Sequence, residues 1–497
     1  MSVEREASAH KTLTLRAFYR LLKATGSKEA VNDYFNYVGG SPTLNKSKIS
    51  KEQLICKYSD LWEEACAETL YEPTALGEDN DKIKARLLEL KNQYQDEPWV
   101  VIGGPPCQAY SLVGRARNKG IEGYTAETDN RHFLYREYLS VLSIMQPDVF
   151  VMENVKGILS SRINGELIFP SILTDLKNLG VAVKDPDSKR KYHIYSFVKQ
   201  PDSQELSEPT YSDFRDFIIR AEDYGVPQAR HRVILLGIAE DLDHVPATLK
   251  KQSQVPIETV LSDLPALRSK ISRKADSPEA WEQVISSQVK TLAKTKTTDK
   301  ALEAVIEYMQ NVVGDLKTSS PIEQHAKTES WSAESSNEHL REWLLNDHCE
   351  WVLNHHARSH MSSDLGRYLF SACWASTPIN IESSKPFPKA TDYPEALAPT
   401  HANWKSGKFA DRFRVQRYGR PATTITSHIS KDGHYFIHPD PTQCRSLTVR
   451  EAARIQTFSD DYFFEGNRTQ QYVQVGNAVP PYLAKQLAET VACLFSK

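Results

Sequence analysis

The sequence predicts an α/β protein, an open and largely parallel sheet interrupted by a second, smaller domain. Two short runs of branched apolar residues, Val100-Val101-Ile102 and Val149-Phe150-Val151-Met152, have the composition of strands buried on both faces. A third run, Val233-Ile234-Leu235-Leu236-Gly237-Ile238, follows the basic segment Gln228-Ala229-Arg230-His231-Arg232. A long mixed segment then separates these strands from an amphipathic C-terminal stretch, the layout of an inserted domain.

Taken in order, Asp33 to Gly40 reads as the end of a helix or a turn with its glycines at the C-cap, and Asp81 to Leu87 has a helical period. After the first strand, Gly103 and Gly104 permit a sharp turn while Pro105 and Pro106 fix φ, so Cys107 is presented just past the strand's carboxyl end. In open α/β sheets ligands and chemistry collect at that edge. The second strand ends in a carboxylate, Glu153. Tyr192 to Val198 alternates like a strand and suits a hairpin with Val233 to Ile238. Pro201 to Pro209 is a polar loop, and Arg215 to Arg220 is either a short helix or the next strand. If Val233 to Ile238 runs antiparallel, its entrance lies on the edge where the other strands exit, bringing Arg230 and Arg232 toward Cys107 and Glu153.

Within the insertion, Ala280 to Val313 has a helical period and Lys317 to Asn337 is a Ser- and Glu-rich connector. Pro421 to Thr426 and His434 to His438 read as two strands joined by a turn at Lys431-Asp432-Gly433. Pro481 to Phe495 is an amphipathic closing helix.

A formal net charge of -3 excludes a polyanion binder that works by overall charge, so any nucleic-acid contact needs a local basic cleft. Arg115, Arg117 and Lys119, and later Arg412, Arg414, Arg417 and Arg420, are candidates for it. Seven scattered cysteines give no disulfide framework and suit a reducing cytoplasm. No apolar run reaches membrane-spanning length, and Met1 to Leu15 lacks the pattern of a signal peptide. His348-Cys349 and His355 to His360 bring metal-type ligands close. Without a Cys-x-x-Cys pair, local polar or DNA-backbone contacts are the better expectation.

A thiol, a carboxyl group and guanidinium groups at one edge suit attack on a planar, electron-poor heterocycle carrying a carbonyl and a ring nitrogen. Cytosine fits. Adding a thiolate at carbon 6 turns the ring into an enamine whose carbon 5 can take a methyl group. A protonated Glu153, its pKa raised by burial, would serve ring nitrogen 3. An arginine would hold the carbonyl oxygen and help keep the thiol ionised.

These motifs, in this order, resemble the DNA cytosine-5 methyltransferases of bacterial restriction-modification systems. The resemblance is carried by Gly103-Gly104-Pro105-Pro106-Cys107-Gln108-Ala109-Tyr110-Ser111, Glu153-Asn154-Val155, Gln228-x-Arg230-x-Arg232, Arg450 to Phe458, and Gln474-Val475-Gly476-Asn477-Ala478-Val479-Pro480-Pro481. It implies a Rossmann-like S-adenosylmethionine-dependent sheet (residues 1–240), a target-recognition domain (241–469) and a C-terminal return (470–497). It also implies Cys107 as nucleophile, Glu153 at ring nitrogen 3, and Arg232 with Arg230 near it on a flipped base.

The implied methyl donor is S-adenosylmethionine, with no metal. By the same resemblance Glu4 ends the family's second strand and accepts from the donor's ribose, while Pro106, Leu134, Asn477 and Val479 line its pocket. Glu78 is the candidate for a further acidic residue, with a charged loop equally open. The implied partners are double-stranded DNA, read in the major groove, and a cognate restriction endonuclease encoded nearby. The implied compartment is the bacterial cytoplasm, without a membrane.

One departure stands out. Family members begin with an apolar strand and a Phe-x-Gly-x-Gly loop, and nothing before Glu4 supplies them. The first strand is therefore expected to be missing from the middle of the sheet, leaving its neighbours unpaired. A shortened chain and a split enzyme, completed by a separate polypeptide that supplies the first strand and glycine loop, both fit. In either case the chain alone should bind the donor poorly. A DNA-binding subunit without catalysis is the rival reading. A nicotinamide-dependent oxidoreductase is disfavoured because no Gly-x-Gly-x-x-Gly follows a first strand.

Overall fold

The computed structural model describes residues 1–39, 49–105, 131–163, 165–203, 208–242, 244–323, 337–346, 349, 351–378, 380, 387–399, 404 and 413–495. The residues ahead of the first strand fold as helices: α1 (Ala7–Ala24), α2 (Lys28–Val38), α3 (Lys51–Lys57), α4 (Ser59–Glu68) and α5 (Asn80–Gln93). Helix α1 starts where the Glu6 side chain accepts from the Ala9 amide. Its apolar face (Leu15, Phe18, Leu22) packs on Tyr34 and Phe35 of α2 and Ala65 of α4. This helical group docks on the far end of the chain, Arg16 pairing with Asp461 at 3.0 Å and Lys51 with Glu465 at 2.8 Å.

Ser2-Val3-Glu4 is not a strand, contrary to the sequence-based expectation for Glu4. A strand needs a neighbouring ladder. Here the Ser2 amide donates instead to the Glu68 carbonyl, and the Glu4 carbonyl accepts from Thr74, both at 2.8 Å.

The main sheet contains β1 (Val100–Gly103), β2 (Val149–Val155), β3 (Tyr192–Ser196), β4 (Ile218–Arg220) and β6 (His231–Ala239), while β5 (Gln228–Ala229) pairs elsewhere. Its order is β1-β2-β6-β3, with β4 also on β6. Strands β1 and β2 are parallel, whereas β6 runs antiparallel to β2 and β3. The register sets Val155 opposite Arg232, so the exit of β2 meets the entrance of β6 as expected. Residues 214–220 combine both readings, a 3-10 turn followed by β4.

One face, with Phe150, Met152, Val233 and Leu235, lies against Tyr138 and Leu142 of α6 (Arg131–Met145) and Phe169 and Ile172 of α7 (Phe169–Lys177). The other face, with Val149, Val151, Ile234, Leu236 and Ile238, is covered by Leu483, Leu487 and Val491. Those three belong to the closing helix, Pro481–Ala492. Covering both faces accounts for the nearly continuous apolar strands. Strand β1 is an edge strand, as β3 is at the other end of the order, and it differs in its exposure, with Ile102 76% exposed.

In the insertion, the helical period resolves into α8 (Pro278–Leu292) and α9 (Lys300–Val313), which pack with α10 (Ser362–Ser376) around Trp281, Met309, Leu369 and Trp374. Part of the expected Ser- and Glu-rich connector, residues 324–336, lies outside the described residues. The expected hairpin of Pro421–Thr426 with His434–His438 does not form. Strand β7 (Ala422–Thr423) pairs in parallel with β5, and Ile437 bridges Val415 and Ser446. Turn and strand composition can be read locally, but the sheet edges competing for these residues lie far away in sequence. Helices α11 (Val449–Ile455), α12 (Arg468–Asn477) and α13 (Pro481–Ala492) complete the chain.

Candidate active site

The site forms where β2 leaves the sheet and β6 enters it. Glu153 and Arg232 sit diagonally across the β2–β6 ladder, Arg232 Nε being 2.7 Å from Glu153 Oε1. Both are largely enclosed, with side chains 24% and 16% exposed, respectively. Burial pushes the Glu153 carboxyl above its ordinary range, and Arg232 and Arg230 only partly oppose this. The shift favours the protonated carboxyl, the form that can donate a hydrogen bond, beside a fixed cation.

The loop leaving β1 arrives at the same place. A Cβ built on Gly104 would lie 3.2 Å from Glu153 Oε2, so the close approach suits glycine. Asn154 Nδ2 donates to the Pro105 carbonyl at 3.2 Å and ties that loop to the end of β2. Pro106 and Cys107, and the basic candidates Arg115, Arg117 and Lys119, lie outside the described residues.

Arg230 does not join the pair by hydrogen bonding. It falls in the break between β5 and β6, only 2% exposed. Its guanidinium donates to the Ile425 carbonyl at 2.8 Å and the Gly476 carbonyl at 3.3 Å. Gln228, the first member of the same motif, is fully buried; it accepts from the Ile425 amide at 2.6 Å and donates to Gln456 at 2.9 Å. Gln456 in turn donates to the Val475 carbonyl at 2.9 Å. The sequence reading assigned no role to Asn154, Gln228 or Gln456. An amide within an apolar or strand-end run is the available signal, because burial obliges it to find partners.

The donor-site candidates fall into two groups. Thr74 to Glu78 gathers the first: Thr74 bonds the Glu4 carbonyl at 2.8 Å, Glu78 pairs with Arg5 at 3.3 Å, and a Cβ on Gly77 would lie 3.2 Å from Leu134. The Glu4 carboxylate accepts from the Glu6 amide at 2.8 Å. The second group is Asn477, exposed at the end of α12, and half-buried Val479. Gln474 of α12 donates to Ser8 of α1 at 3.2 Å, which links the two groups.

Of the later basic candidates, Arg412 lies outside the described residues, Arg414 stacks on Tyr435 with 5.6 Å to the ring centroid, and Arg420 is exposed. His348 also lies outside. His355 sits 2.9 Å from both Thr448 Oγ1 and the Pro265 carbonyl, and His360 accepts from the Ser446 amide at 3.2 Å. These rings are occupied by local partners, and no group of three metal-type side chains gathers among the described residues. None of the helices described is long and apolar enough to cross a membrane.

The mixed sheet and the family match together make this an α/β methyltransferase of the S-adenosylmethionine-dependent type. The chain belongs to the C-5 cytosine-specific DNA methylase family, whose sequence model it matches over residues 31–493. It is 32% identical to the type II methyltransferase M.Bpa9945I of Bacillus paralicheniformis, over 98% of this chain and 92% of that protein. It is 26% identical to the type II methyltransferase M.DdeI of Desulfomicrobium norvegicum, covering 80% of this chain and 72% of that one. Its identity to the DNA (cytosine-5-)-methyltransferase M.ApeKI of Aeropyrum pernix is 27%, covering 79% of this chain and 81% of that one.

Proposed function

We propose that this protein transfers a methyl group from S-adenosylmethionine to carbon 5 of a cytosine flipped out of duplex DNA. It would act as the modification partner of a restriction endonuclease in a bacterial cytoplasm. The carrying observation is the enclosed Glu153–Arg232 pair, met by the Gly104-Pro105 loop that leads to Cys107. In this reading the Cys107 thiolate adds to carbon 6 while Glu153 donates its proton toward ring nitrogen 3 and Arg232 holds the carbonyl oxygen. Carbon 5, made electron-rich, would take the methyl group as the donor's sulfur–methyl bond breaks and S-adenosylhomocysteine leaves, and ring nitrogen 3 returns its proton to Glu153. Loss of its proton and breakage of the Cys107–carbon bond then restore the ring.

The donor supplies an electrophilic methyl group. Glu4 and Glu78 offer acceptors for its hydroxyls, Leu134 and Pro106 apolar walls, and Asn477 and Val479 the opposite side. These residues fit the adenosine half of the group. A glycine cradle for its methionine carboxylate is not among them. Residues 1–240 and 470–497 would form the catalytic lobe, and 241–469 the lobe that reads DNA.

Bisulfite sequencing of DNA from cells expressing the chain, with and without its upstream reading frame, tests the activity. Methylated cytosines in one sequence context are expected, and Cys107→Ala should remove them. Unchanged methylation by that variant would overturn the assignment.

The bare edge of β1 supports a second part of the proposal. A parallel strand with Ile102 76% exposed and Val100 39% exposed is a template for another strand. That strand, followed by the glycine loop, would come from a longer form of this chain or from a separate polypeptide. Calorimetry of the purified chain should then show weak S-adenosylmethionine binding, restored by co-expression with the supplying segment. Tight binding by the chain alone would defeat this part.

A further inference from the structure

Arg230 joins three parts of the chain that lie far apart in sequence. Its guanidinium reaches Ile425, 195 residues away, and Gly476, 246 residues away, through their backbone carbonyls. Both Nη atoms serve Gly476 at 3.3 Å, while Nε is buried and has no partner among the described residues. No ion pair holds Arg230 among those residues, although Glu153 and Arg232 are close enough to act on its charge.

Burying a guanidinium without a bonded counter-ion is costly, and an apolar side chain would fill the space more cheaply. What an apolar residue lacks is a planar fork that donates to two carbonyls from different segments at once. The surrounding contacts reinforce the same junction. Thr424 Oγ1 donates to the Ala229 carbonyl at 2.6 Å, and Gln228 bonds the Ile425 amide at 2.6 Å. A Cβ on Gly476 would fall 2.2 Å from the Ser427 amide nitrogen, so α12 lies directly against the 426–427 backbone.

Arg230 immediately precedes β6, whose second residue is Arg232. Ile425 leads into the Thr426-Ser427-His428 segment of the insertion, and Gly476 precedes Asn477 and Val479. We propose that Arg230 is a positioning residue: through the Ile425 and Gly476 carbonyls it sets the DNA-reading lobe and the donor-side residues in register with the Glu153–Arg232 pair. This rests on reading that pair as the cytosine pocket. On this proposal Arg230, expected near Arg232 at the flipped base, acts through those two carbonyls.

Arg230→Lys keeps the charge but not the fork, and Arg230→Met keeps only the bulk. Hydrogen exchange read segment by segment separates a clamp from a general stabiliser. Amides at 424–430 and 474–478 should exchange about tenfold faster or more in Arg230→Lys, with β1, β2 and β6 protected as in the wild type. In the same variant kcat should fall about 10- to 100-fold with the KM for DNA little changed, as when reacting groups are misplaced but binding is kept. Wild-type exchange at both segments would overturn the proposal, whatever happens to kcat. A uniform rise that includes the sheet would overturn it too, making Arg230 a stabiliser of the whole lobe. Because exchange needs no turnover, failure of the clamp and failure of the methyltransferase reading are told apart: a wild-type chain that methylates nothing bears only on the latter.

Discussion

Two carboxylates in this molecule each face an arginine, and they behave in opposite ways. Glu451, in α11 of the insertion, takes two bonds from Arg445 at 2.6 and 2.7 Å and another from the Thr448 amide at 2.7 Å. Arg445 and Glu451 are 0% and 2% exposed, and these donors hold the Glu451 carboxyl well below its ordinary range despite full burial. Glu153 takes one ion-pair contact among the described residues, from Arg232, remains 24% exposed, and is pushed upward by burial. At Glu451 the charges of Arg445 and His438 outweigh burial, whereas at Glu153 burial outweighs the charges of Arg232 and Arg230. The first carboxylate is held toward its anion and serves the fold, whereas the second is shifted toward the form that can give a proton away.

The contrast can be broken from either side. The largest effect is expected at Glu153→Ala, which should lower kcat by about 10²- to 10⁴-fold, the usual worth of a positioned proton donor. Its stability should move by about 1 kcal/mol or less, as for a partly exposed pair. Single-turnover kinetics and urea denaturation read the two quantities, and a stability loss as large as that of a buried pair would erase the distinction. Glu451→Ala should do the reverse, costing about 3–5 kcal/mol by leaving Arg445 buried without its partner. A denaturation midpoint close to wild type would show that Arg445 finds other acceptors.

The smallest effect is on pH. Burial lowers His355 from 6.5 to about 4, below its value in the unfolded chain. Its contribution to stability is therefore full above about pH 6.5 and is lost as the pH falls toward 4, because the unfolded chain takes the proton first. Glu153 works the other way. Its raised value makes its contribution full below about 4.5 and lost as the pH rises through the folded value. Melting followed by the Trp281 and Trp374 fluorescence of the insertion should thus show acid sensitivity between pH 6.5 and 4, and His355→Gln should reduce it. A variant as acid-sensitive as wild type would assign the effect elsewhere.

The strands that carry the candidate site were legible in advance. Continuous apolar runs marked β1, β2 and β6 because strands covered on both faces leave no polar alternation, and the chemistry stood at their ends. Arg230 shows where such reading stops. Residues spaced by two share a strand face only if the strand is unbroken, and the chain breaks between β5 and β6, turning this guanidinium toward Ile425 and Gly476. Glu4 shows a second limit: a strand-like tripeptide becomes a strand only beside a ladder, and its backbone bonds Glu68 and Thr74 instead.

The sequence by itself determined the family, the parallel start of the sheet, and the residue types at its reactive edge, because burial and bond chemistry are written locally in residue choice. Only the tertiary structure decided which arginine of the pair spaced by two faces Glu153, and that β1 has one neighbour among the described residues. Arg232 reaches Glu153 only through the pairing of β2 with β6, and Arg230 is held by carbonyls 195 and 246 residues away, contacts that no local pattern encodes.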